Sequence, residues 1–218
     1  MWTNATLDAN VAPGFSSFTE APAPDLRPRF PNVEHWFADY FLNTVLSARF
    51  SDGRHQIALG IIRRAQHAFF RYHEARELTA EFLSSRSGVN PQVRRYFRAL
   101  DAWESFVLQA AIAIDLLVAF GDAKVFTKND GSLLERIYSI ANQIKHHNKC
   151  IASGQAPADH TVPLWLTNAG LCSFDRVVGF DESGMALEEL AKLAETLKDP
   201  EGAVRAAAAA RASAPPTA

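Results

Sequence analysis

Apolar residues recur at steps of three and four along most of the chain, which is the spacing of amphipathic helices. Between residues 54 and 84 they keep to one side while arginines occupy the other faces. The second half of 91–120 is apolar nearly all round, so we expect it to lie at the centre of a helical bundle. The pattern and its turn signals predict five helices, at residues 33–50, 54–84, 91–120, 132–150 and 185–198.

A different pattern follows the fourth predicted helix. The segment VPLWLT (162–167) alternates and carries Trp165, and a turn sequence at 168–170 precedes a second short apolar run. Alternation around a turn is typical of a β-hairpin, here predicted at 162–174. The fold class is therefore mainly α: a bundle of four long helices, a short β-hairpin and a C-terminal fifth helix.

Both ends of the chain lack this periodicity. Residues 1–31 are rich in Pro, Ala and Ser, and we expect a flexible arm. Residues 200–218 form a low-complexity, Ala-rich tail, which leaves 32–199 as the helical domain. The N-terminus has neither the basic region nor the apolar run of a signal peptide. The apolar stretch 106–120 is shorter than a membrane span, so no membrane association is expected.

The net charge of −2 indicates no general attraction to nucleic acid or membrane. The charge is uneven, because residues 54–98 hold nine Arg against three Glu. With interleaved aromatic rings, that stretch could face RNA. Alternatively, its arginines solubilise the outside of the bundle and pair with the acidic fifth helix. The slightly negative overall charge favours this second interpretation. Two cysteines, Cys150 and Cys172, provide neither a disulfide scaffold nor a metal motif, so we expect a reducing, cytoplasmic location without cofactors.

The candidate site lies at the end of the fourth predicted helix, where Asn, Lys and His cluster between residues 142 and 149. Asn142 and His146 are four positions apart and should share one face. A histidine presented in this way can act as an acid or base near neutrality. Lys145 and Lys149 could hold a phosphate. An ordinary helix also favours cations at its C-terminal end, so a solvated cap is the alternative.

The pattern NQIKHHN (142–148), near the end of a fourth helix and followed by VPLWLTNAGL (162–171), resembles the HEPN superfamily (higher eukaryotes and prokaryotes nucleotide-binding). The resemblance implies a helical bundle that dimerises through the helices bearing this motif. It also implies metal-independent RNA cleavage by an Arg followed, after four to six residues, by His. His146 matches the family His and Asn142 the polar position. Ala141 stands where the family has Arg.

The missing Arg implies a catalytically degenerate module that binds RNA or a partner protein, as a regulatory part of a toxin or phage-defence system. An active metal-independent ribonuclease using His146 and an interaction protein without a nucleic-acid role are the alternatives. The predicted assembly is a homodimer, and no metal site is expected, since Cys150, His146 and His147 lack a fourth ligand. The predicted catalytic residues are His146 and Asn142, and the predicted RNA contacts are Lys145, His147, Lys149, Arg94 and Arg95.

Overall fold

The computed structural model describes residues 4–47, 53–84, 89–121, 124–156 and 161–199. Within them the fold is mainly α with a small antiparallel sheet, as predicted. The predicted tail at 200–218 lies outside these residues. The helices are α1 (Asn4–Asn10), α2 (Trp36–Ser47), α3 (Arg54–Ser84), α4 (Val89–Gly121), α5 (Leu133–Lys145), α6 (His147–Ala152) and α7 (Phe180–Lys198), and the strands are β1 (Trp165–Thr167), β2 (Gly170–Ser173) and β3 (Arg176–Val178).

The two longest helices, α3 and α4, form the centre of the molecule. Tyr72 of α3 packs edge-on against Trp103 and Phe106 of α4 at centroid distances of 5.4 Å. The buried Trp103 Nε1 donates a hydrogen bond of 2.9 Å to Thr79 Oγ1. A buried indole N–H needs a hydrogen-bond partner, so this bond links α3 and α4 at a defined register. The stretch Gln92–Gly121 of α4 is also long and apolar enough to cross a membrane by length and composition alone, a test that core helices pass.

The N-terminal segment corrects one expectation, because residues 4–31 do not form a flexible arm. They run across the bundle and insert apolar side chains into the core. Phe18 is fully buried and stacks near Phe82 and Phe180, at centroid distances of 5.9 and 6.1 Å. Asn168 Oδ1 accepts hydrogen bonds from the backbone of Thr19 and Glu20. Isolated large side chains can anchor an irregular segment, although they leave no periodic pattern.

The fifth predicted helix begins earlier than expected, since α7 starts at Phe180 and passes through Gly184. A Cβ on Gly184 would collide with the ring of Pro24. The glycine therefore permits close contact between α7 and the N-terminal segment, and does not end the helix. Glu182 Oε2 accepts a hydrogen bond of 2.8 Å from Gly179 N, which satisfies a backbone donor at the start of α7.

The predicted hairpin is present, but a third strand follows it, so the sheet order is β1-β2-β3. Both strand pairs are antiparallel, with Leu166 opposite Leu171 and Cys172 opposite Val177. Gly170 has a φ of 130° and lies against the backbone of Val178, a position that excludes a side chain. The sheet also packs against α5, and this contact places it beside the candidate site.

Candidate functional site

The predicted motif helix is interrupted at His146. Ser132 Oγ caps α5 by accepting a 3.3 Å hydrogen bond from Glu135 N. His146 then leaves helical geometry, with φ −116° and ψ 27°. Its N–H donates to Asn142 O at 3.0 Å, while its carbonyl accepts from Lys149 N at 2.8 Å. The single helix expected at 132–150 is therefore two helices, α5 and α6, with His146 at their junction.

An open pocket of about 370 Å³ lies beside this junction, and we call it the α5–α6 pocket. It brings together Asn142, His146 and Lys149, three of the residues predicted from the sequence. The remaining five lining residues are polar or small and were not among the predicted site residues. The full lining comprises Ser139, Asn142, Gln143, His146, Lys149, Cys150, Ser153 and Gln155.

The other predicted contacts lie outside this lining. Lys145 is exposed on α5. His147 is half-buried and stacks near Phe174 at a centroid distance of 6.2 Å. Arg94 is exposed near the start of α4, where Arg95 Nε lies 3.3 Å from Glu81 Oε1 on α3. An RNA contact at Arg94 or Arg95 would therefore belong to a surface separate from the pocket, and it stays a prediction.

A hydrogen-bond network holds one wall of the α5–α6 pocket. Gln143 Nε2 donates to Asp175 Oδ1 at 2.8 Å. Ser173 Oγ lies 2.5 Å from both Gln143 Oε1 and Pro163 O, and its single proton can serve one of them at a time. Gln143 and Ser173 are buried, so these bonds link α5 rigidly to β2. No sequence pattern pointed to this link, because its partners lie some thirty positions apart.

A second set of polar groups lies beside Asn142. Burial raises the pKa of the Tyr138 hydroxyl, and the charge and hydrogen bond of Asp115 act in the same direction. A hydrogen bond between Tyr138 and Asn142 acts in the opposite direction. Asp115 is exposed, so its carboxylate needs no buried counter-ion. Tyr138 thus interacts with Asp115 of α4 and with Asn142, which borders the α5–α6 pocket.

The position of Ala141 bears on the chemistry available here. Ala141 is fully buried, so it faces the core instead of the pocket. Lys149 is the one permanent cation among the eight lining residues, and none of the eight is acidic. Such a lining can bind a phosphate through Lys149 and His146 and can recognise other polar groups through its amides and hydroxyls. Within the described ranges, no three His, Cys, Asp or Glu side chains are placed to hold a metal ion.

Comparison with protein-family models, curated proteins and solved structures gives no match to this chain.

Proposed function

We propose that the chain is a HEPN-like helical protein whose α5–α6 pocket binds RNA and cleaves it slowly or not at all. One observation carries the proposal: Asn142, His146 and Lys149 line the same open pocket. A helix end that only carries solvated cations would not need these three side chains to line one pocket. The residues that the family resemblance singles out, His146 and Asn142, are therefore available to a ligand from one side.

The groups in the pocket suit a phosphodiester. The Lys149 ammonium can pair with a phosphate oxygen. His146 can donate to a second phosphate oxygen or accept from a ribose 2′-hydroxyl, a group that distinguishes RNA from DNA. Asn142 carries both donor and acceptor atoms, which suit the edges of an unstacked base. Single-stranded RNA offers all of these groups, so it is the substrate class that we propose.

Fast cleavage requires a cation at the reacting phosphate, and this is where the site is weak. Removing one such charge-stabilising donor typically costs about 100-fold or more in rate. Ala141, the position of the family Arg, is buried and cannot supply it. Ser139, six intervening residues before His146, does line the pocket. An Arg at 139 would therefore be the substitution that restores the missing charge.

Binding is tested by fluorescence anisotropy with a labelled single-stranded RNA and its DNA counterpart. Lys149→Ala should weaken RNA binding several-fold and reduce the salt dependence of log K by about 0.7. Lys128→Ala is the matched control, since Lys128 is also exposed and lies outside the pocket. Equal losses for the two variants would reduce the interaction to general charge attraction and contradict the proposal.

Cleavage is tested with the same RNA in EDTA. We expect little product from the native chain and more from Ser139→Arg, with the gain abolished by adding His146→Ala. Robust EDTA-resistant cleavage by the native chain, lost in His146→Ala, would instead identify the active ribonuclease. If neither the native chain nor any variant binds RNA, the resemblance to HEPN proteins does not extend to their function.

The predicted homodimer and the role as an interaction protein rest on a different feature. Helix α2 exposes Phe37, Phe41 and Leu42, which are 43%, 55% and 61% accessible, while Trp36 and Tyr40 are buried. Exposed aromatic groups on one helix are typical of interaction surfaces. We propose that α2 contributes to a homodimer, alone or beside α5. Sedimentation at micromolar concentration should give twice the 24.0 kDa chain mass, and Phe41→Glu should give the monomer.

A further inference from the structure

A separate pocket, of about 390 Å³, lies between the segment after Leu26 and helix α3. Three aromatic rings line it, contributed by Phe30, Phe69 and Phe70. Phe30 and Phe69 are buried and pack edge to face at a centroid distance of 6.1 Å. Phe70 is 44% exposed. The pocket therefore has an ordered aromatic wall and one accessible ring.

The charged side chains around this pocket are mainly acidic. Glu34, Glu74 and Glu77 line it together with a single cation, Arg27, a formal balance of −2. Arg27 is engaged, because its guanidinium donates to Glu77 at 2.6 Å and to Asp25 at 2.8 Å.

The three carboxylates differ in their own partners. Glu74 accepts a 2.5 Å hydrogen bond from Arg71. For Glu34, in contrast, no ion pair is found among the residues that the structure describes. Glu34 is thus the carboxylate most available to a bound cation, and the lining as a whole would repel an anion.

A buried imidazole completes the lining. His73 is 6% exposed, and its Nδ1 lies 3.6 Å from Asp25 Oδ1. Within the described residues neither ring nitrogen makes a hydrogen bond. Burial lowers the pKa of His73 to about 4, so the ring is neutral at pH 7 and does not repel a positive charge. A buried imidazole without partners is costly, and an N–H donor brought close to it would reduce that cost.

We propose that this pocket binds an alkylammonium group, with the cation against the exposed ring of Phe70 and paired with Glu34. Aromatic faces attract a cation within about 6 Å of the ring centroid. The carboxylate balance adds a second attraction, and the alkyl chain can pack on the rings. A free amine and the lysine side chain of a partner protein present the same group, so the experiment includes both.

The first experiment titrates the full chain with n-butylammonium and with n-butanol, which has a similar shape but no charge. Binding is followed by NMR through the ring signals of Phe69, Phe70 and His73. We expect saturable shifts with the amine. The alcohol should bind about tenfold more weakly, because it lacks the charge that makes one exposed cation–π contact and one exposed ion pair. Equal binding of the two probes, or no saturable shift with either, would overturn the proposal.

The second experiment compares two single-carboxylate variants. Glu34→Gln should weaken n-butylammonium binding about threefold. Glu189→Gln is the matched control, because Glu189 is an exposed carboxylate on α7 with a side chain 71% accessible. Equal losses would contradict a site at Glu34. A peptide with one central lysine is the last probe: tighter binding than the free amine assigns the site to a protein partner, and equal or weaker binding assigns it to a small amine.

Discussion

Replacing Phe18 by alanine tests whether the N-terminal segment belongs to the core. Phe18 is fully buried and its ring centroid lies 5.9 Å from that of Phe82 and 6.1 Å from that of Phe180. Removing a buried phenyl ring typically costs about 3–5 kcal/mol, as lost transfer free energy plus a cavity. A domain of this size has about 5–15 kcal/mol of stability, so the loss would be a large share of the total.

The assay is urea unfolding followed by circular dichroism, with Phe70→Ala as the matched control. Phe70 is 44% exposed on α3 and lies outside the proposed dimer surface, so the same truncation should cost no more than about 1 kcal/mol there. The melting temperature of Phe18→Ala should fall by about 6–20 °C, from the usual 2–4 °C per kcal/mol for chains of this length. If both variants lose the same small amount of unfolding free energy, Phe18 does not pack in the core, and the N-terminal segment is the flexible arm that the sequence predicted.

Three further changes have definite expected outcomes. Burial lowers the pKa of His73 from 6.5 to about 4, so the unfolded chain takes up this proton first. The free energy of unfolding should therefore fall as pH drops from 6.5 towards 4. Between pH 7 and pH 5, urea unfolding should show a smaller loss of this free energy for His73→Leu than for the native chain. Thr79→Val removes the acceptor of Trp103 Nε1 and should cost about 1–3 kcal/mol in urea unfolding at pH 7. Ala141→Arg buries a charge, so this variant should unfold, or aggregate on gel filtration. Ser139→Arg changes a half-buried position and should elute as the native chain does. A soluble, folded Ala141→Arg protein would contradict the orientation of α5.

Helical periodicity predicted the fold class and most of the long elements. The bounds of α3 agree with the prediction because its apolar residues stay in phase from Arg54 to Ser84. The predicted start of the last helix, residue 185, falls five residues too late, and Gly184 inside α7 makes room for Pro24. That role depends on a segment about 160 residues away, which no local pattern contains.

Helical periodicity also predicted part of the candidate site. Asn142 and His146 share a face through helical spacing, which the sequence contains. The interruption of the helix at His146 was not predicted, and the chain beyond it contributes Ser153 and Gln155 to the α5–α6 pocket. The bond from Ser173 to Gln143 was likewise out of reach, because it depends on how the sheet packs against α5.

The most direct test of the proposed function is an NMR titration of the full chain with a short single-stranded RNA, monitoring the side-chain signals of the α5–α6 pocket. The proposal predicts saturable shifts for the His146 ring and the Asn142 and Gln143 amides, with smaller shifts when DNA of the same sequence replaces the RNA. Shifts confined to the arginines of α3 and α4, or no shifts at all, would contradict the assignment of this pocket as an RNA site.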